Sequence, residues 1–157
     1  MKLEKYALIA EIIGGFAIVV TLIILVFEMR GNTEEIRAAT LANIAARTQE
    51  FALLSIRNPH MADIEYRLST GAELSPTEIE LVGGVVIALL KLGEESFIAY
   101  RDGRLEEEIW GTRGAVVLNL LDDELERDLY VEFREGGVLI KGFTDWLDAE
   151  LIERYGE

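Results

Sequence analysis

Few side chains in this sequence stand where their type and spacing could do chemistry. Glu11 is the single charge in the run from Tyr6 to Phe27. An ionisable group inside an apolar helix is costly and is by default a functional hypothesis. Lys91 is likewise the only charge between Leu81 and Leu92. It is either a lysine with perturbed chemistry, or one that pairs with Glu94 or Glu95, or one that snorkels to water. His60 is the only histidine and has no companion at metal-ligand spacing, and no Glu-x-x-His pair supports di-iron chemistry. The acidic runs Glu106–Glu108 and Asp122–Glu124 lack the alternating spacing of a calcium loop, and read as a solvated first turn and a cap.

Other catalytic devices are missing their parts. The "VGGV" stretch has neither the lysine nor the hydroxyl of a phosphate loop. No serine has a recognisable nucleophile setting, and a histidine-based triad would have to recruit His60. With no cysteine in the chain, disulfides, thiolate metal sites and cysteine nucleophiles are excluded. Trp110 and Trp146 read as core anchors rather than ligand stackers. The expectation is a protein without catalytic activity, cofactor or resident metal.

The element that must position Glu11 is a long apolar helix. Tyr6 to Phe27 is 22 residues, which at the helical rise covers about 33 Å, enough for a bilayer core. The run is too long for a secretory signal, and "VFEMRGNTEE" offers no small-x-small cleavage site. An uncleaved single membrane span, in a bacterial-type plasma membrane, is the expectation. By the positive-inside rule Lys2, Lys5 and the α-amino group, set against Arg30 and Arg37, tip the N-terminus slightly toward the cytoplasm.

Placed around a helix, Ala7, Ala10, Glu11, Gly14, Ala17, Ile18, Thr21, Leu25 and Glu28 fall in one arc of about 120°. The rest of the circumference is bulky and apolar, with Gly15 the one small exception. Helices that meet in lipid sort small and polar residues onto one side, and the 3–4 spacing suits a left-handed bundle. This face is a candidate packing seam. Glu11 on it has three readings: an interfacial boundary residue matched by Glu28, a polar contact between helices, or a ring lining a cation pore in a homo-oligomer.

Residues 1–31 thus form one segment, and 32–157 a domain that carries the whole net charge of −14, since three basic and three acidic residues cancel before Gly31. Such a domain is repelled by nucleic acid and anionic headgroups. Asn32 with Glu35 reads as a capping box opening a new helix, with Gly31 as a kink or short break. On that helix Leu41, Ile44, Thr48 and Phe51 share a face whose partner is the rest of the domain or another subunit. Pro59 ends it. A short helix over "HMADIEYRLS" follows, then a loop. Ser75, Pro76 and Glu78 begin a long helix, apolar nearly all round between Leu81 and Leu92, which stops at Asp102-Gly103. In it Gly83, Gly84 and Gly93 suggest close helix approach. Leu105, Ile109, Val116 and Leu120 space a fourth helix. Asp123 with Glu126 caps a fifth, which "EGG" breaks, and Phe143, Trp146, Leu147 and Leu151 mark the last. No long stretch alternates with period two, so the fold class is all-α.

The opening "AEIIG…LVFEMRGNTEEIRAAT", the central "YRDGRLEEEIW" and the tryptophan helix near the end resemble a widespread bacterial family of single-span membrane proteins of unassigned function. The resemblance implies an N-terminal transmembrane helix and a helical C-terminal domain, and it carries no catalytic residues. The expected function is a membrane-anchored, self-associating scaffold or interaction module. Its partners would be the bilayer, further copies of the chain and, if it is monomeric, another membrane protein. The alternative is the cation pore with Glu11 on its axis.

Overall fold

The computed structural model describes residues 2–156, apart from the side chains of 2–10, 12, 30, 54 and 55. Among the described residues there are six helices and no strands: α1 Lys2–Arg57, α2 Pro59–Ser69, α3 Pro76–Arg101, α4 Glu107–Leu120, α5 Glu124–Glu135 and α6 Lys141–Tyr155. By internal packing the chain falls into two compact units, one ending at Ala39 and one beginning at Thr40.

The first helix differs from expectation. It runs through Gly31 and Asn32 without interruption. A capping box needs the chain to leave helical geometry at Asn32, and the flanking residues from Met29 to Ala39 are mostly good helix formers. The local hydroxyl also serves the continuous helix, since Thr33 Oγ1 donates to the Met29 carbonyl at 2.9 Å.

The unit from Thr40 onward owns the core. Its fully enclosed side chains are Ile64, Val86, Leu90, Leu121, Phe143 and Leu147, with Tyr130 almost as deep. At the centre lies α3, which packs against α4 and α5, and α4 packs in turn against α6. The start of α3 is fixed locally. The Ser75 amide donates to Glu78 Oε2 at 2.7 Å and the Glu78 amide to Ser75 Oγ at 3.4 Å, a complete capping box with Pro76 in the first turn. These Ser75 hydrogen bonds, backbone first and hydroxyl second, lower the Glu78 carboxyl to about 2, with Arg67 adding to the effect. Arg67 bonds Glu78 and also Asp63, so one guanidinium links α2 to α3.

The ends of α3 and α5 are closed in the same way. Gly103 at φ +71° lets the Arg104 amide reach the Ala99 carbonyl (2.8 Å), and Gly137 at φ +66° lets Val138 reach Phe133 (3.1 Å). Each is a paired 6→1 and 5→2 closure that a Cβ at the left-handed position would disfavour. Asp123 stands at the N-cap of α5 but its side chain makes no capping bond, contrary to the sequence pattern.

The three glycines of α3 turn out to differ. At Gly93 an added Cβ would lie 2.5 Å from Val117 Cγ2 and 3.3 Å from Phe143 Cζ, so here three helices meet because a side chain is absent. Gly83 makes only ordinary contacts, and Gly84 faces open space. Gly93→Ala is therefore expected to destabilise the protein by about 2 kcal/mol through overpacking. Gly84→Ala should stabilise it by about 0.5–1 kcal/mol through helix propensity alone. Urea unfolding of both variants checks the contrast, and equal effects would contradict it.

Candidate functional site

The chemically suggestive side chains from Thr40 onward have mostly structural places. Lys91 Nζ donates to Glu94 Oε2 at 2.7 Å and to the Val138 carbonyl at 2.5 Å. Glu94, only 6% exposed, accepts the Ile140 amide on its other oxygen at 2.6 Å. Ile140 is the N-cap of α6 and has no side-chain acceptor of its own. Glu94 thus does from α3 what an N3 glutamate does in a capping box. Glu95, the other partner considered for Lys91, turns to Arg47 of α1 at 2.5 Å. His60 is exposed in the first turn of α2, where its amide donates to Asn58 Oδ1 at 3.2 Å.

Trp110 and Trp146 belong to an aromatic cluster with Phe97, Tyr100 and Phe143. The two indoles meet edge to face at 4.7 Å between centroids, and Tyr100 stacks on Trp110 at 5.7 Å. Gly114 makes room for this, since a Cβ there would come within 3.3 Å of the Trp146 ring.

A cavity of about 630 Å³ lies between α5 and α6. That is within the range of small-molecule sites, and no motif or spacing announces it. Its two arginines, Tyr130 and Asp148 are already engaged. Tyr130 donates to Asp148 Oδ1 at 2.7 Å, and Arg134 Nη1 reaches the same oxygen at 3.0 Å. Burial, with Asp148 second, pushes the Tyr130 hydroxyl well above the usual phenol range, so it stays protonated at neutral pH. Arg127 donates to the carbonyls of Leu121 and Asp122 and lies over the Tyr155 ring. These contacts hold α5 to α6.

Of the acidic runs, Asp122 accepts from the Tyr155 hydroxyl at 2.5 Å and pairs with Arg154 at 2.9 Å. Half-buried Glu126 is pushed up to about 7, first by loss of water and then by Asp123 and Asp122. Among the described residues no three His, Asp or Glu side chains are grouped to hold a metal.

The proposed seam lies on the unit ending at Ala39. The described side chains from Ile13 to Met29 are all exposed. Glu11, Gly14, Ala17, Thr21, Leu25 and Glu28 share one face of the unbroken helix, and a Cβ added at Gly14 would enter open space. The side chains of Ala7 and Ala10 lie outside the described residues. Thr21 Oγ1 donates to the Ala17 carbonyl at 2.8 Å, which satisfies the hydroxyl without water. Among the described residues one helix, α1, is long and apolar enough to cross a membrane, with a mean hydropathy of 2.1. On the second face considered for association, Ile44 enters the chain's own core and Thr48 Oγ1 accepts from Arg113 at 2.9 Å. Phe51 is half-buried and Leu41 is 37% exposed. The rest of the domain is therefore a partner of this face.

Comparison with protein-family models, with curated proteins and with solved structures returns no match for this chain.

Glu94→Ala is expected to destabilise the protein by about 2–3 kcal/mol, because it leaves the Ile140 amide and the Lys91 ammonium without their shared acceptor. A double-mutant cycle with Lys91→Met should give a coupling of about 1 kcal/mol or more. Additive effects would show that the pair does not act together. Glu126 gives a pH signature. Its folded value near 7 exceeds the ordinary 4.5, so its contribution to stability is complete below 4.5 and is lost as pH rises through 7. The melting-temperature gain of Glu126→Gln over the parent should thus be small at about pH 5 and larger at about pH 8.

Proposed function

We propose that this protein is a single-span, membrane-anchored helical module that self-associates through its span and presents an acidic helical domain as a scaffold or interaction surface, without catalysing a reaction. The observation that carries the reading is the uncovered apolar surface of α1 from Ile13 to Phe27. A run of large apolar side chains of that extent marks a surface made for another apolar phase. The core of residues from Thr40 onward is closed by its own side chains, Ile44 being the first in sequence. A bilayer satisfies the exposed stretch because the backbone polar groups of a helix are paired within it.

Self-association rests on the one-sided distribution of Glu11, Gly14, Ala17, Thr21, Leu25 and Glu28. A symmetric pair or ring of spans would bring Gly14 and Ala17 into backbone contact and let Glu11 find a polar partner across the seam. The resemblance to a family of single-span membrane proteins points the same way for topology.

In membranes washed with alkaline carbonate the full-length protein should remain in the pellet. Release into the supernatant would remove the anchor. The subunit count in lipid nanodiscs, by native mass spectrometry, tests the seam. Gly14→Leu is expected to lower it, whereas Val19→Leu on the bulky side should leave it unchanged. Equal behaviour of the two variants, or a monomeric parent, would overturn self-association and make the seam a docking face for a different membrane protein.

A further inference from the structure

Six arginines of the acidic domain face a carboxylate, whereas Arg113 does not, and unlike Arg127, which donates to two backbone carbonyls, it has a single side-chain acceptor among the described residues. Arg47, Arg67, Arg101, Arg104, Arg134 and Arg154 each lie within 4.0 Å of a carboxylate. Half-buried Arg113 has none among the described residues; its one hydrogen bond within the protein is Nη1 to Thr48 Oγ1 at 2.9 Å. The Thr48 hydroxyl gives its own proton to the Ile44 carbonyl at 2.8 Å, so its oxygen is left to orient the guanidinium. A guanidinium has five N–H donors in a planar fork that matches a carboxylate, and most of this fork is unused.

The same arginine is the only charged group lining a narrow slot between α1, α3 and α4, walled by Ile44, Leu89, Val116, Val117 and Leu120. Ser96, 1% exposed at the slot, already donates to the Leu92 carbonyl at 2.9 Å and adds no free proton. The cavity measures about 60 Å³. A dry cavity of about 150 Å³ accepts benzene, so this one suits a chain of about two to four carbons. The domain's strong negative charge disfavours a polyanion.

We infer that the slot binds a small aliphatic monocarboxylate, with its carboxylate on the Arg113 fork and its short chain among Leu89, Val116 and Val117. The ligand contributes the acceptor that the chain itself does not supply, and the apolar wall raises the strength of that pair by excluding water.

The full-length chain, with its valine methyls observed by NMR, is titrated with sodium salts of acetate, butyrate, isovalerate, octanoate and decanoate, and with isovaleramide. Saturable shifts at Val116 and Val117 that peak at butyrate or isovalerate, with no response to the neutral amide, are expected. Arg113→Gln should weaken binding by about tenfold or more, the usual value of a charge-assisted hydrogen bond. Val116→Phe, at an exposed position on the slot wall, should weaken it comparably with the arginine intact and the melting temperature retained. Affinity that climbs steadily to decanoate, equal binding of the amide, or indifference to both substitutions would overturn the inference.

Discussion

A carboxylate has been taken out of water at Glu94, and much of the bundle is arranged around that fact. An unpaired charge in such a position costs several kcal/mol and would not persist. Glu94 persists because Lys91 and the Ile140 amide supply charge and hydrogen bonds to its two oxygens. Lys91 also holds the Val138 carbonyl, so one pair of side chains on α3 grips both ends of the link between α5 and α6. The neighbouring Gly93 lets α6 come close enough for this. Phe143 then lies against the glycine and Trp146 packs against Trp110. Asp148, just over a turn on, receives Tyr130 and Arg134. Each contact along α6 presupposes the one before it.

The two units of the chain obey opposite solvent rules. From Thr40 onward a core of large apolar side chains turns inward, and most arginines are matched with acids on the surface. Before Ala39 the described apolar side chains all face outward, Thr21 satisfies its hydroxyl on Ala17, and Glu11 and Glu28 share one face. Large apolar side chains are mostly hidden in one unit and displayed in the other. That contrast, more than any single residue, motivates the membrane reading.

Local signals in the sequence were the ones that translated into structure. Ser75, Pro76 and Glu78 form a capping box because all its partners lie within four residues, so no tertiary knowledge is needed. The stops at Asp102-Gly103 and at residues 135–137 follow from glycine in a left-handed turn. Asn32 with Glu35 fails for the complementary reason. Its pattern describes a possible cap, but nothing obliges the chain to break there, and continuing the helix forfeits no hydrogen bond. Gly93 was legible as a candidate for close approach but not distinguishable from Gly83 and Gly84, because only the tertiary neighbours Val117 and Phe143 separate them. Glu94 was visible as one of two acids in reach of Lys91. Its role at the head of α6 was hidden by the 46 residues between Glu94 and Ile140. Nothing in the spacing of Arg113 and Thr48 announces that they meet. The α5–α6 cavity is likewise a product of how two helices diverge.

The chain has two tryptophans, and they stand in edge-to-face contact. Any light the protein emits on indole excitation therefore comes from a single place, the crossing of α4 and α6, with Phe97 and Tyr100 around it. Indoles at 4.7 Å couple electronically, so the tryptophan part of the near-ultraviolet circular dichroism comes from one packed cluster rather than from scattered sites. The molecule carries a built-in gauge of whether its last helix is seated, readable in tryptophan emission without a label, since α1 has no tryptophan.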